Sequence, residues 1–211
     1  KNTKSYNAGW VVITFGWGLA VFLGVVVAGP YSGAHLNPAV SVGLAAAGLF
    51  SWSLVPGYII AQMLGGFFGA SLVYFYFKPH FDITESKDIK LSVFCTIPAI
   101  RKLPHNLFCE IIGTFILIFV ILHFTEPSLC TVNEASVSVG LGSIGALPVA
   151  LLIVAIGMSL GGTTGYAINP ARDLGPRIVH SLCPLKNKRD SDWGYSWIPV
   201  AGPILGAIIA A

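Results

Sequence analysis

The sequence predicts an all-α membrane protein organised as an inverted repeat, and three observations carry that prediction. Of 211 residues, 55% are hydrophobic and only 10% charged, against about 25% charged in a soluble domain, and the mean hydropathy is +0.77. The apolar residues gather into long segments, about 8–28, 52–77, 106–124, 144–160 and 193–211, of the order of the ~20 helical residues that cross a bilayer. A short motif also occurs twice, as Gly33-Ala34-His35-Leu36-Asn37-Pro38-Ala39 and as Gly165-Tyr166-Ala167-Ile168-Asn169-Pro170-Ala171.

Each Asn-Pro-Ala reads as a helix start. Asparagine is a favoured N-cap, and proline, with its fixed φ and no N–H, suits the first helical position. A single copy would be an ordinary capped helix. Two copies in matching apolar contexts mark something rarer, because the stretch after Asn37 stays apolar only to about Phe50 and the stretch after Asn169 soon meets charge and Pro184. Each is a half-helix, too short to span alone. With its side-chain oxygen capping its own helix, each asparagine would turn its NH2 group outward as a free donor. Three full spans separate the motifs, so the half-helices enter from opposite faces and meet N-terminus to N-terminus near the midplane, as a seventh, pseudo-continuous helix.

In order, residues 1–7 are polar and the first span, about 8–28, carries Trp10 and Trp17. Gly29-Pro30-Tyr31-Ser32 is expected to break it just before the first motif. The span at 52–77 carries Gln62 and a small-residue row, Gly65, Gly66, Gly69 and Ala70, of the kind that lets helices approach closely in lipid. Residues 78–105 form a polar connection whose Phe81, Phe94 and Ile97 predict packing over the membrane face. The next span holds Glu110, an acid inside apolar sequence and so a candidate functional group. Its more economical role is to brace the backbone that a half-helix leaves unpaired. Residues 125–143 read as a polar turn. The chain divides into a first-repeat part at about 1–77, the connection 78–105 and a second-repeat part at about 106–211. The second part holds one span more than the first, so the repeat predicts a further span before Lys1 and makes this chain part of a six-span protein.

Composition excludes several classes. The net charge of +3, with acids among the loop bases, does not fit nucleic-acid binding. Cys95, Cys109, Cys130 and Cys183 have no paired C-x-x-C spacing, so neither zinc nor redox chemistry is indicated and no metal or cofactor is expected. The histidines are scattered, with no spacing for an intramembrane enzyme built on Glu110, His123 or His180. A coupled transporter shares half-helix construction but would bind and rock rather than stay open.

The residues resemble the aquaporin superfamily, and within it the aquaglyceroporin branch of glycerol facilitators. The match covers nearly the whole chain: Ser-Gly-Ala-His-Leu-Asn-Pro-Ala at 32–39, Gln62, Glu110-x-x-Gly113-Thr114, and Asn-Pro-Ala-Arg-Asp-Leu-Gly-Pro at 169–176. Asp173, the acid after the arginine, is the mark of the glycerol branch. The resemblance implies a passive channel for glycerol and other small neutral solutes, with water passing and ions and protons excluded; a mainly water-selective channel is the alternative. It implies a constriction at Trp17, Gly157, Tyr166 and Arg172. There, glycine leaves room where water-selective relatives place histidine, and two aromatic walls stand opposite a donor fork. Tyr166 departs from the phenylalanine of the best-known facilitators, and its hydroxyl would narrow the pore or add a bond. The resemblance further implies a ladder of pore carbonyls from Gly33, Ala34, His35 and Leu36 and from Gly165, Tyr166, Ala167 and Ile168. Gln62, Glu110 and Asp173 would give polar support. A homotetramer in the lipid of the cell membrane, plasma or inner, is expected on the same ground.

Orientation is contested within the sequence. All 12 Lys and Arg residues fall on one topological side, which the positive-inside rule would place in the cytoplasm, whereas the resemblance places that side outside and assigns Arg172 to the pore.

Overall fold

The computed structural model describes residues 3–5, 7–125, 127–130 and 136–211. The polar opening 1–7 and the turn 125–143 therefore lie partly outside the described residues. Among the described residues four segments are long and apolar enough to cross a membrane: Gly9–Ser32, Val55–Tyr76, Leu103–Leu122 and Gly142–Leu160. In chain order these are α1, α3, α6 and, after a 3-10 turn at Gly142–Ala146, α7 (Leu147–Leu160). The shorter α9 (Ile198–Ala210) is apolar as well.

Between them stand the two half-helices, α2 (Pro38–Ala46) and α8 (Pro170–Leu182). At 9 and 13 residues they measure ~14 and ~20 Å. Laid end to end they make about one bilayer core. α2 ends before Phe50, because Gly48 adopts φ +76° and the amide of Leu49 folds back onto the Leu44 carbonyl at 2.9 Å, a left-handed helix stop.

Pro30 does not break α1, contrary to the sequence expectation. The helix runs through it to Ser32 and closes where Gly33, at φ +69°, donates its N–H to the Gly29 carbonyl at 3.0 Å. Proline removes one hydrogen bond from the last turn, and the left-handed glycine supplies the stop three residues later.

The inverted repeat is legible in the packing. α2 packs on α9, and its repeat-mate α8 packs on α3, the mate of α9; α1 and α7, mates of each other, pack together. α6 lies along α9. Close approach sets these pairs: a Cβ on Gly66 of α3 would stand 2.7 Å from the Ala171 carbonyl oxygen of α8. Gly65 and Gly69, from the same small-residue row, have no such neighbour.

The connection 78–105 holds two short helices, α4 (Lys78–Ile83) and α5 (Lys87–Ser92). It packs inward, as the aromatic pattern predicts: Phe81 and Phe94 stack at 5.5 Å and are buried with Tyr74, Val179 and Leu185. The turn after α6 carries one feature the sequence did not suggest, a hairpin in which Ser128–Cys130 pairs antiparallel with Ser136–Ser138.

Candidate functional site

The two motif loops share one backbone. Counting back from each asparagine, the fourth, third and first preceding residues have positive φ: Gly33 +69°, Ala34 +48° and Leu36 +54° in one copy, Gly165 +82°, Tyr166 +38° and Ile168 +41° in the other. Left-handed non-glycine residues cost roughly 1–3 kcal/mol each and persist only where surroundings hold them. The outcome is a chain that cannot close hydrogen bonds on itself. Among the described residues no protein donor reaches the carbonyls of Gly33, Ala34, His35, Gly165, Tyr166 or Ala167.

The holding groups are visible. Asn37 caps α2, its Oδ1 accepting from Ala39 N at 2.9 Å, and Asn169 caps α8 by accepting from Ala171 N at 3.0 Å and Arg172 N at 3.2 Å. The amide groups are not free outward donors, contrary to the sequence expectation. Asn37 Nδ2 donates to the Ile168 carbonyl at 2.8 Å, and Asn169 Nδ2 donates to the Leu36 carbonyl at 2.9 Å. Each asparagine thus braces the opposite loop with one hydrogen and keeps its second N–H. The carbonyls of Leu36 and Ile168, expected to be open rungs of the ladder, each accept one of these bonds and keep one lone pair.

Glu110 supports the second loop from behind. It is 1% exposed, and its two oxygens accept from Ala167 N at 3.0 Å and Ile168 N at 2.8 Å. In the first loop His35 is held by its side chain: Nδ1 pairs with Ser41 Oγ at 3.0 Å and the ring meets Phe50 and Tyr58 edge-on or tilted at 4.6 and 4.9 Å. Gln62 Nε2 donates to the same Ser41 hydroxyl at 3.1 Å. Pro38, Ala39, Pro170 and Ala171 are buried in the two helix starts.

A cavity of about 550 Å³ runs past these loops, lined by residues 33–37, Tyr166 to Asn169, Trp17, Gln62 and Arg172, with Val21, Val25, Leu117, Ile121 and Ile153 supplying apolar wall. Gly157, Gly165, Glu110 and Asp173 stand outside that lining. Arg172 does not face Trp17 across a gap: its guanidinium carbon lies 4.2 Å from the Trp17 ring centroid, a cation–π contact. Gly157 leaves room, but the room is occupied. A Cβ there would stand 2.8 Å from Tyr166 Cζ and 2.9 Å from both the Tyr166 hydroxyl and Thr14 Cγ2. The Tyr166 hydroxyl is buried with no hydrogen-bond partner among the described residues, so it adds no bond there.

The sequence profile of the Major intrinsic protein family matches residues 1–211. The chain belongs to the major intrinsic protein family. It is 52% identical over 211 residues to the "Probable glycerol uptake facilitator protein" of Thermotoga maritima, covering all of this chain and 86% of that one. It is 49% identical over 212 residues to the glycerol uptake facilitator protein of Streptococcus pneumoniae (strain R6), covering 99% and 84%. The X-ray structure of the aquaglyceroporin from Plasmodium falciparum superimposes with a TM-score of 0.76 at 35% identity, covering 95% of this chain and 79% of that one. With its membrane-length helices, this major intrinsic protein is an integral, multi-pass membrane protein, and it is not an enzyme.

Three residues around the site of this family member escaped the sequence reading. Trp10 donates its indole N–H to the Gly157 carbonyl at 2.9 Å and meets the Tyr166 ring edge-on at 5.8 Å; its spacing of seven from Trp17, two helical turns, was the available signal. Arg177, four residues after Asp173, forms with it a fully buried ion pair at 2.7 Å; that i,i+4 spacing was legible. Thr96 donates to Asp173 Oδ2 through its amide at 2.7 Å and its hydroxyl at 2.6 Å. Nothing in a loop threonine announces that role.

Proposed function

We infer that the chain is a passive channel for glycerol and similar small neutral solutes, with water passing alongside, and that Trp17, Gly157, Tyr166 and Arg172 form its selectivity filter. The observation that carries this reading is the two-sided cavity. Its lining combines the motif loops, most of whose carbonyls have no protein donor among the described residues, and two asparagines with a set of apolar side chains; we take these as two walls. A polyol has the same two sides, a hydroxyl edge that exchanges bonds along the carbonyls and a carbon edge that rests on the apolar wall. The guanidinium fork against Trp17 would give hydroxyl oxygens their strongest donor at the narrowest point. The names of the relatives, glycerol uptake facilitators, support the same solute.

Ion and proton exclusion follows from the half-helices. Each N-terminus carries about half a positive charge, and both point at the asparagines, so cations meet a barrier and water is held with its oxygen toward Asn37 and Asn169. A rocking transporter is disfavoured by the same bonds. The two half-helices are cross-braced by Asn37 to Ile168 and Asn169 to Leu36, which ties the moving parts such a mechanism would separate.

The Arg172 side is proposed to face outward. Several basic residues there are engaged within the protein: Lys78 pairs with Asp82, Arg101 with Asp192, Arg177 with Asp173 and Arg189 with Asp88. Lys188 donates to three carbonyls at the end of α8. Under the repeat, the α6–α9 pair calls for a helix along α3, and we propose that one covers α3 in the whole protein, itself a homotetramer.

Stopped-flow light scattering on proteoliposomes tests the reading. Glycerol influx should rise linearly with concentration, with no saturation and no accompanying proton flux. Saturable influx, or influx driven by a proton gradient, would overturn it.

A further inference from the structure

Arg172 is a filter residue whose side chain is anchored only by its contact with Trp17 among the described residues, so its place depends on what fixes the backbone at the start of α8. That backbone must also keep a fixed distance from the loop 163–168, which carries Tyr166. One residue touches both. Thr96, 4% exposed, donates twice to Asp173 Oδ2, at 2.7 Å from its amide and 2.6 Å from its hydroxyl. Its methyl lies against Gly165, where a Cβ would stand 3.3 Å from Thr96 Cγ2. Three residues on, Ala99 N donates to the Thr163 carbonyl at 2.9 Å.

The far side of the clamp is equally closed. Arg177 holds Asp173 Oδ1 at 2.8 Å through Nε, and its other nitrogens donate to the carbonyls of Ser191 at 2.7 Å, Asp192 at 3.0 Å and Thr96 at 3.3 Å. Asp173, Arg177 and Thr96 are all buried. A buried carboxylate whose two oxygens both accept charge-assisted hydrogen bonds has one low-energy position, and the residue beside it is Arg172.

We propose that Thr96 is a positioning residue for solute selection: its hydroxyl, acting through Asp173, sets the separation of Arg172 from Tyr166 and thereby the ranking of glycerol against water. This rests on the four-residue filter proposed above. Loss of the hydroxyl removes one of the two hydrogen bonds that Asp173 Oδ2 accepts from Thr96 and lets the first turn of α8 shift without removing any filter atom.

The test compares Thr96→Val, which keeps the shape, with Thr96→Ser, which keeps the hydroxyl, and with Gly157→Ala, which perturbs the filter itself. All are reconstituted at matched protein content, and glycerol, erythritol and water permeabilities are read from each. In Thr96→Val the glycerol-to-water ratio should move by about threefold to tenfold, with erythritol moving more; that is a fraction of the roughly 10- to 150-fold equivalent of one lost charge-assisted hydrogen bond, because the residue-96 amide still holds Asp173 Oδ2. Thr96→Ser should keep the natural ratio. If Thr96→Val does not reconstitute, Thr96→Ala and Thr96→Ser take its place, with the shift expected in alanine alone. Unchanged ratios in the hydroxyl-free variant while Gly157→Ala shifts, or a serine variant as altered as the valine, overturn the role of Thr96. Unchanged ratios in all three overturn the filter placement and this inference with it.

Discussion

Substituting Gly157 by alanine puts one methyl group into space that the structure shows to be full. Its Cβ would stand 2.8 Å from Tyr166 Cζ and 2.9 Å from Thr14 Cγ2, well inside van der Waals contact. The Tyr166 ring cannot retreat from the lumen, because its Cδ1 already lies 2.5 Å from where a Gly161 Cβ would be and Trp10 closes the adjoining edge. It must therefore swing into the cavity that it lines. Overpacking of this kind costs roughly 1–3 kcal/mol. Expressed in the barrier for a solute that must pass the ring, that is roughly a 5- to 150-fold slowing at 1.36 kcal/mol per decade. Glycerol should be slowed by that amount and water, which needs less width, by much less. Tyr166→Phe should not rescue, since the clash is with Cζ itself, whereas Tyr166→Ala should restore width in the double variant. Stopped-flow permeabilities of the single and double variants form a double-mutant cycle, with coupling of about 0.5–3 kcal/mol expected for residues in contact. A Gly157→Ala channel with the natural glycerol-to-water ratio, or no coupling to Tyr166, would refute the reasoning.

Three further outcomes follow from the same geometry. Tyr166→Phe removes a buried hydroxyl with no protein partner, so thermal unfolding should show it neutral or stabilised, by at most about 1–3 kcal/mol, with the flux ratio unchanged. Glu110→Gln turns an amide N–H group toward a backbone N–H of the 167–168 pair. It should cost about 2 kcal/mol or more and lower glycerol flux, and a variant as stable and active as the parent would count against the brace. Burial pushes the Cys95 thiol up to about 12, so the thiolate fraction at pH 8 is ~10⁻⁴ and maleimide should label Cys95 only after unfolding. Because the folded thiol titrates above the unfolded one, this group leaves stability intact below about pH 9 and removes it as pH rises from there, which a pH series of melting temperatures would register.

The parts of the fold set by local chemistry were legible in the sequence. Asn-Pro at a helix start, apolar length and the odd number of spans between two motifs are enough to give half-helices from opposite faces. Glu110 was legible because an acid in an apolar span needs a reason. What escaped depended on distance in sequence. That the asparagine amides cross to Ile168 and Leu36 joins residues 131 and 133 positions apart, and no local pattern encodes which carbonyl a free N–H will find. Thr96 is hidden for the same reason. Gly157 reads in the sequence as leaving room in the filter, and only the three-dimensional neighbours reveal that the Tyr166 ring fills the gap. Pro30 does not end α1, because a proline in the last turn removes only one hydrogen bond, and the stop comes at the left-handed Gly33.

The central claim is that two opposed half-helices meet at Asn37 and Asn169, each bonded across to the other's loop. Magic-angle-spinning NMR on protein reconstituted in lipid, with ¹⁵N in asparagine side chains and ¹³C in leucine and isoleucine carbonyls, reads those bonds directly. The account predicts cross-peaks from Asn37 Nδ2 to the Ile168 carbonyl and from Asn169 Nδ2 to the Leu36 carbonyl, at direct hydrogen-bond range. Asparagine amides that contact only their own loops, or that lie far from each other's repeat, would contradict it.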